Sequence, residues 1–350
     1  MRKQQLDGLR LLAFLLVFFF HACWRQGFLY GQFGTDLFFA LSGFLITRLL
    51  LLNSGGSVLQ EIRTFYARRT LRIFPVYYVY LAILFLNHRL NHAVWYVFYV
   101  FNFGFFIHKW RDCWGHLWTL SVEEQFYLFY PVLLLSTPPR WRLLTILILL
   151  ASFEYCNSTL WDSQFRWYLL TPTRTALMWG ALAGYIDVKC SQKWQKGGAI
   201  FAIGLAISAF FCYLSCWKVT LPCSFNALYY PWQPMAFALV VWGLWRAENK
   251  FLLAPFTLRP VAYLGKISYG LYLFHPTSYA LVRSLSSLLP FLKLIEPISV
   301  ALIFTIAQAM LSWHLLEKPM NDLKDRFKFT KPETKASATP GAPTSPEGAT

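Results

Sequence analysis

Charge is what this chain has least of. Only 14% of its 350 residues are charged, and just 16 are acidic. An ordinary soluble domain carries roughly 25% charged residues, so a surface that faces water all round is excluded. The seven cysteines lack metal-ligand spacing, and no metal site is expected. Cys212 and Cys216, four residues apart, read as packing groups. Cys216 and Cys223 would allow a disulfide if both lie in an outer loop. No internal repeat is visible, so the inverted-repeat signature of many transporters is missing. No small-residue cleavage site follows the first apolar run, which therefore reads as a retained span and not a signal peptide.

What fills the chain instead is apolar residue, 57% of the total. Runs of ~20 mostly apolar residues recur, the length a helix needs to cross a bilayer. Barrel strands would alternate, so the fold class is all-α: a polytopic integral-membrane helical bundle. Ten spans are expected, at 8–24, 34–52, 74–88, 120–137, 142–156, 173–187, 197–215, 229–246, 266–288 and 295–316. The aromatic segment 94–107, with Asn102 and Gly104 inside it, is either an eleventh span or a piece that does not cross. The net charge of +16 helps to choose. If 94–107 does not cross and the N-terminus is cytoplasmic, more than two-thirds of the Lys and Arg residues fall inside. If it crosses, fewer than half do. The positive-inside rule favours ten spans with both termini cytoplasmic. The same rule makes the basic balance a topology signal and not a nucleic-acid footprint. Residues 1–329 then form one membrane domain. Residues 330–350, rich in Pro, Ala, Thr and Ser, are expected to be a disordered cytoplasmic tail with no second folded domain.

Charge inside a span is costly and marks function by default. The first span holds Asp7 and Arg10 near its inner end and His21 toward its outer end. A neutral imidazole is suited to taking a proton from a hydroxyl near neutral pH, although an interfacial histidine bonded to a carbonyl would look the same. Asp36 opens the second span, as a helix cap or as a partner to orient an imidazole. The following Ser42-Gly43 pair reads as helix packing. Arg68, Arg69 and Arg72 cluster in an inner loop before the third span, where they suit phosphates or anionic lipid. In the stretch 115–131, Glu123 and Glu124 point to different helix faces. One would meet the bundle, holding a substrate hydroxyl or pairing with His21. His116 precedes them, and Trp118 suits a membrane-interface belt or a stacked sugar. His275 falls mid-span and needs a partner. Glu317 beside Lys318 reads as an anchor pair.

Taken in order, LDGLR and FFFHA, GTDLFFALSGFLIT, RRTLRIFP, HLWTLSVEEQFY, RTALMWGALAGY and LGKISYGLYLFH resemble acyltransferase family 3, integral-membrane enzymes that acylate glycans and other hydroxylated acceptors. The resemblance spans Leu6 to Leu316. It implies that His21 is the catalytic base, that Glu123 and Asp36 belong to the catalytic set, and that Arg69 and Arg72 serve acyl-CoA use. In this chain Thr119 stands where the family's phrase has serine. With Arg68 and Arg10 added on the donor side, and His116, Glu124 and Trp118 on the acceptor side, the expected reaction is acyl transfer. The acyl group, acetyl above all, would pass from cytoplasmic acyl-CoA to an envelope or exported polysaccharide. The setting would be a bacterial-type inner membrane, with no permanently bound cofactor. A transporter or flippase of a glycan intermediate, or an acyltransferase acting on a lipid or small molecule, stays open as an alternative.

Overall fold

The computed structural model describes residues 3–23, 31–53, 55–108, 114–159, 174–189, 196–216, 223–288 and 297–329. The expected tail at 330–350 lies outside them, as do the side chains of Cys212, Cys216 and Cys223. Within the described residues the chain is helical and forms no strand. The helices are α1 (Gln4–Cys23), α2 (Gly31–Leu52), α3 (Val58–Leu86), α4 (Ala93–Val97), α5 (Phe101–His108), α6 (Trp118–Ser136), α7 (Arg142–Thr159) and α8 (Thr175–Lys189). They continue with α9 (Gly197–Cys216), α10 (Cys223–Arg246), α11 (Lys250–Thr257), α12 (Arg259–Lys266), α13 (Ser268–Leu288), α14 (Pro297–Ser312) and α15 (Lys318–Leu323).

Within the described residues, each of the ten apolar stretches overlaps a helix. Among the described residues, four helical stretches are long and apolar enough to cross a membrane: Gln4–Cys23, Phe33–Leu52, Val58–Leu86 and Pro297–Leu323. Large apolar side chains such as Phe85, Phe129, Ile148, Ile303 and Leu315 stay exposed on the outer faces. That many uncovered apolar groups on one molecule is the mark of a surface made for lipid.

One segment differs from its sequence reading, and a second, left open in the sequence, takes its non-crossing form. The arginine stretch at 65–75 is not a loop. Ser57 caps α3 by accepting from the Gln60 amide at 3.3 Å, and the helix then runs unbroken through Pro75. Arg68, Arg69 and Arg72 therefore ride on a rigid element with helical spacing. Segment 94–107 breaks into α4 and α5 around Tyr99, whose φ is 54°. Eight helical residues rise only ~12 Å, far short of a bilayer core of ~30 Å.

Packing is closest where backbone meets backbone. A Cβ on Gly43 of α2 would collide with the Leu177 carbonyl of α8, and one on Gly180 of α8 with the Ala40 carbonyl of α2. Small residues let these helices touch along their length, as they do in membrane bundles generally. α1 is hemmed in the same way. Gly34 of α2 meets its Ala13 carbonyl, and Gly265 of α12 meets its Asp7 carbonyl. A buried ion cluster ties α2, α8 and α10 together at one end. Asp187, 1% exposed, pairs with both Arg48 and Arg246 and accepts from Trp242 Nε1 at 3.0 Å. Arg48 and Lys3 lie over the Trp245 ring at 4.4 and 4.7 Å, and Lys3 also donates to the Trp245 carbonyl.

Gly43→Val should lower the thermal stability of the detergent-solubilised protein by at least ~1–3 kcal/mol, because neither helix backbone can give way. Gly198→Ala should leave it unchanged or slightly raised, since a Cβ there meets only Leu252 Cδ2 at 3.9 Å. Equal effects in a melting assay would contradict this packing.

Candidate active site

The rigid arginine face of α3 opens on a cavity of about 280 Å³. Arg68, Arg69, Arg72, Arg10 and Lys324 line it, and Glu123 is the carboxylate among them. Phe38, Leu41, Leu45, Ile46, Leu49 and Ile73 supply apolar wall. The cations are held from behind. Arg68 Nη1 donates to the carbonyls of Lys324 (3.0 Å) and Phe327 (2.6 Å), and its guanidinium lies over Phe329. Arg10 pairs with Asp7 at 2.7 Å, one helical turn back. Arg69 lies 3.5 Å from the centre of the Tyr127 ring, with its Nε 4.0 Å from Glu124 Oε1.

Glu123 is held by a short relay. Tyr127 donates to Ser42 Oγ at 2.9 Å, and Ser42 donates to Glu123 Oε1 at 2.7 Å. Charge-assisted bonds of this kind offset the cost of keeping a carboxylate away from water. A second carboxylate comes from an irregular turn. Residues Trp313–Glu317 form a π-helical turn between α14 and α15, a shape that clusters at functional sites. Glu317 is buried there, accepts from Ser312 Oγ at 3.2 Å and lies within electrostatic reach of Arg72.

Thr119 and Tyr272 also line the cavity. Their hydroxyls bond at 2.7 Å, and the Tyr272 hydroxyl also donates to the His116 carbonyl at 3.0 Å. Behind Tyr272 stand three histidines. The His275 ring is 5.1 Å from His21 and 5.1 Å from His116, centre to centre, and 5.6 Å from Tyr272. His21 is exposed, whereas His116 and His275 are buried. Arg10 and His21 are eleven residues apart on α1, about 16 Å along its axis. One helix therefore reaches from the arginine cavity to the histidines. Among the described residues no group of three His, Cys, Asp or Glu side chains is placed to hold a metal ion.

The candidates named from sequence divide between these two places. Arg10, Arg68, Arg69, Arg72 and Glu123 share the cavity, while His21 and His116 share the histidine cluster. Of the two roles open to Glu123, a substrate hydroxyl or His21, the structure shows neither directly: Glu123 accepts from Ser42, and the His21 ring lies beside that of His275. Glu124 turns to Arg69 and the tyrosines around it, away from an outer acceptor rim. Trp118 carries the Arg174 guanidinium 4.6 Å over its ring and Phe39 against it, which leaves that face taken. Asp36 interacts electrostatically with Arg174. Three residues were underread. Ser42 carries a hydrogen bond and not only packing. Glu317 turns inward while Lys318 stays exposed. His275 sits at the centre of the histidines, and its mid-span position was the signal.

A family model described as an acyltransferase domain matches residues 3–316. The putative peptidoglycan O-acetyltransferase YrhL of Bacillus subtilis (strain 168) is 30% identical over 360 aligned positions, which cover 90% of this chain and 54% of that protein. The peptidoglycan O-acetyltransferase OatA of Listeria monocytogenes serovar 1/2a is 27% identical over 377 positions, covering 93% of this chain and 57% of its own. The chain thus spans little more than half the length of these relatives. No solved structure matches.

The Ser42–Glu123 bond predicts coupled stabilities. Ser42→Ala and Glu123→Ala should each destabilise the protein. The double variant should cost less than their sum, by about 1–2 kcal/mol, as expected for residues in one network. Additive losses in a double-mutant cycle of thermal stabilities would count against the relay.

Proposed function

The chain belongs to the acyltransferase 3 family, and from that premise we propose that it moves an acyl group, acetyl first among candidates, from cytoplasmic acyl-CoA to a hydroxyl of a cell-envelope glycan. Both named relatives are peptidoglycan O-acetyltransferases by description. In this reading the bundle is a multi-pass protein of a bacterial inner membrane, with ten spans and both termini cytoplasmic. Residues 1–329 are its acyltransferase domain.

The observation that best supports it is the lining of one cavity. Five cations, a broad apolar wall and Tyr272 face the same space, and the Tyr272 ring lies 5.6 Å from that of His275 in the histidine cluster. That combination of surfaces suits a donor with a polyanionic head, a long thin arm and a reactive tip. Arg68, Arg72 and Lys324 would hold the phosphates, with guanidinium groups favoured for bidentate contact. Arg69 is already balanced by Glu123, Glu124 and Tyr127, so its part is to keep those carboxylates and the cavity wall in place.

His21 is the base. It takes the proton of the acceptor hydroxyl as that oxygen attacks the thioester carbonyl. The tetrahedral intermediate then collapses, the C–S bond breaks, and His21 returns the proton to the leaving thiolate. General-base help of this kind is worth about 10²–10⁴-fold. The Thr119–Tyr272 pair narrows the cavity beside the histidines and favours a small acyl group. Asp36, Arg174 and Trp118 form a braced outer rim near the acceptor path, with Glu124 and His116 supporting the walls.

Coenzyme A should stabilise the purified protein in a saturable way, by about 2.7 kcal/mol at a hundred times its Kd. Arg72→Ala should remove most of that shift and His21→Ala should keep it. Acyl incorporation from labelled acetyl-CoA into glycan in isolated membranes should fall to background in His21→Ala. An active His21→Ala variant would overturn the base assignment. Absence of any coenzyme A shift would overturn the donor.

A further inference from the structure

The three imidazoles are not equivalent, and their hydrogen bonds sort them. A carbonyl only accepts. His275 Nδ1 lies 2.6 Å from the Tyr272 carbonyl, and His116 Nε2 lies 3.2 Å from the Leu273 carbonyl. Those nitrogens therefore carry the protons. In each neutral ring the other nitrogen holds a lone pair, and among the described residues neither His275 Nε2 nor His116 Nδ1 has a hydrogen-bond partner. A buried acceptor left without a donor is costly, so one in the middle of a bundle calls for a reason.

The surroundings of His275 show where its lone pair is needed. Its ring is 0% exposed and clamped edge-on by Phe14 at 6.2 Å and Tyr279 at 6.4 Å. Tyr279 also donates to the Phe18 carbonyl at 2.9 Å and stacks on the Phe18 ring at 5.1 Å. Phe18 is one helical turn from His21, so α13 is pinned to α1 right beside the base. The ring of His21, 5.1 Å away, is close enough for a nitrogen of one to meet a nitrogen of the other on a turn of the exposed ring.

We infer that His275 is the positioning residue of His21: its Nε2 accepts the ring N–H of His21, fixing one tautomer and aiming the other lone pair at the incoming hydroxyl. This rests on reading His21 as the base. The logic is that of any base held by a third group, here a second imidazole in place of a carboxylate. No proton moves to His275. The proton taken from the acceptor resides on His21 until the thiolate leaves, and the N–H facing His275 stays bonded throughout.

The test is steady-state transfer from acetyl-CoA by membranes carrying His275→Phe, His275→Gln or His275→Asn, with His21→Ala as control. Glutamine places an amide oxygen near the position of Nε2; asparagine stops at that of Nδ1 and cannot reach His21. His275→Phe should lower kcat roughly 10–100-fold, the range found when the outer partner of a working histidine is removed. KM for acetyl-CoA and the coenzyme A stabilisation should hold. His275→Gln should regain most of the lost rate, and His275→Asn should not. Should His275→Phe fail to fold, the glutamine–asparagine contrast decides alone. Wild-type kcat in His275→Phe, or equal rates in His275→Gln and His275→Asn, would overturn the assignment. Activity in His21→Ala would instead remove the base reading beneath it.

Discussion

Everything in this molecule hangs on how closely other helices approach α1. Gly34 and Gly265 bring α2 and α12 into contact with its backbone, where any side chain would force them apart. Because α1 is held that tightly, Arg10 and His21 toward its two ends become fixed points. Arg10 marks the cavity and His21 marks the histidines. In lipid there is no hydrophobic drive between helices, and close packing of small residues supplies the cohesion. The same glycines that bind the bundle therefore also set the distance between the two halves of the site.

The second theme is how a nearly uncharged protein keeps charge inside. Asp7 is answered along its own helix by Arg10, but other buried charges are answered across helices. Asp187 on α8 meets Arg48 of α2 and Arg246 of α10. Arg69 on α3 lies against Tyr127 and Glu124 of α6. Glu123 is held by Ser42 of α2. Breaking such a cluster by removing one partner is costly. They therefore fix which helices lie side by side, as a hydrophobic surface could not. The cavity inherits its shape from this pairing.

Much of this was legible in the sequence, and the reason is local. Apolar runs mark helices without any knowledge of neighbours, so the all-helical fold was legible, and four of the helices are long and apolar enough to cross a membrane among the described residues. Asp7, Arg10 and His21 were visible because charge stands out in an apolar run. Arg68, Arg69 and Arg72 were visible as a cluster, but their helical setting was not, since arginines before a span look like loop residues. What the sequence hid were contacts between distant residues. Ser42 looked like packing because its partner is 81 positions away. Glu123 reads from sequence as a group for a substrate hydroxyl or for His21, and nothing in one dimension points to Ser42. His275 showed as an anomaly without a partner, because that partner lies at the opposite end of the chain.

The π turn at Trp313–Glu317 is, in terms of chain length, one residue too many for an α-helix. Deleting a single residue there would restore regular hydrogen bonding, and a local energy count would favour it. It would also rotate all that follows by about 100° about the helix axis. Glu317 would swing away from Arg72, and Lys324 would leave the rim of the cavity. The extra residue thus works as a register pin. A shorter chain could keep every helix and every apolar face and still present the wrong side of its last turn to the cavity.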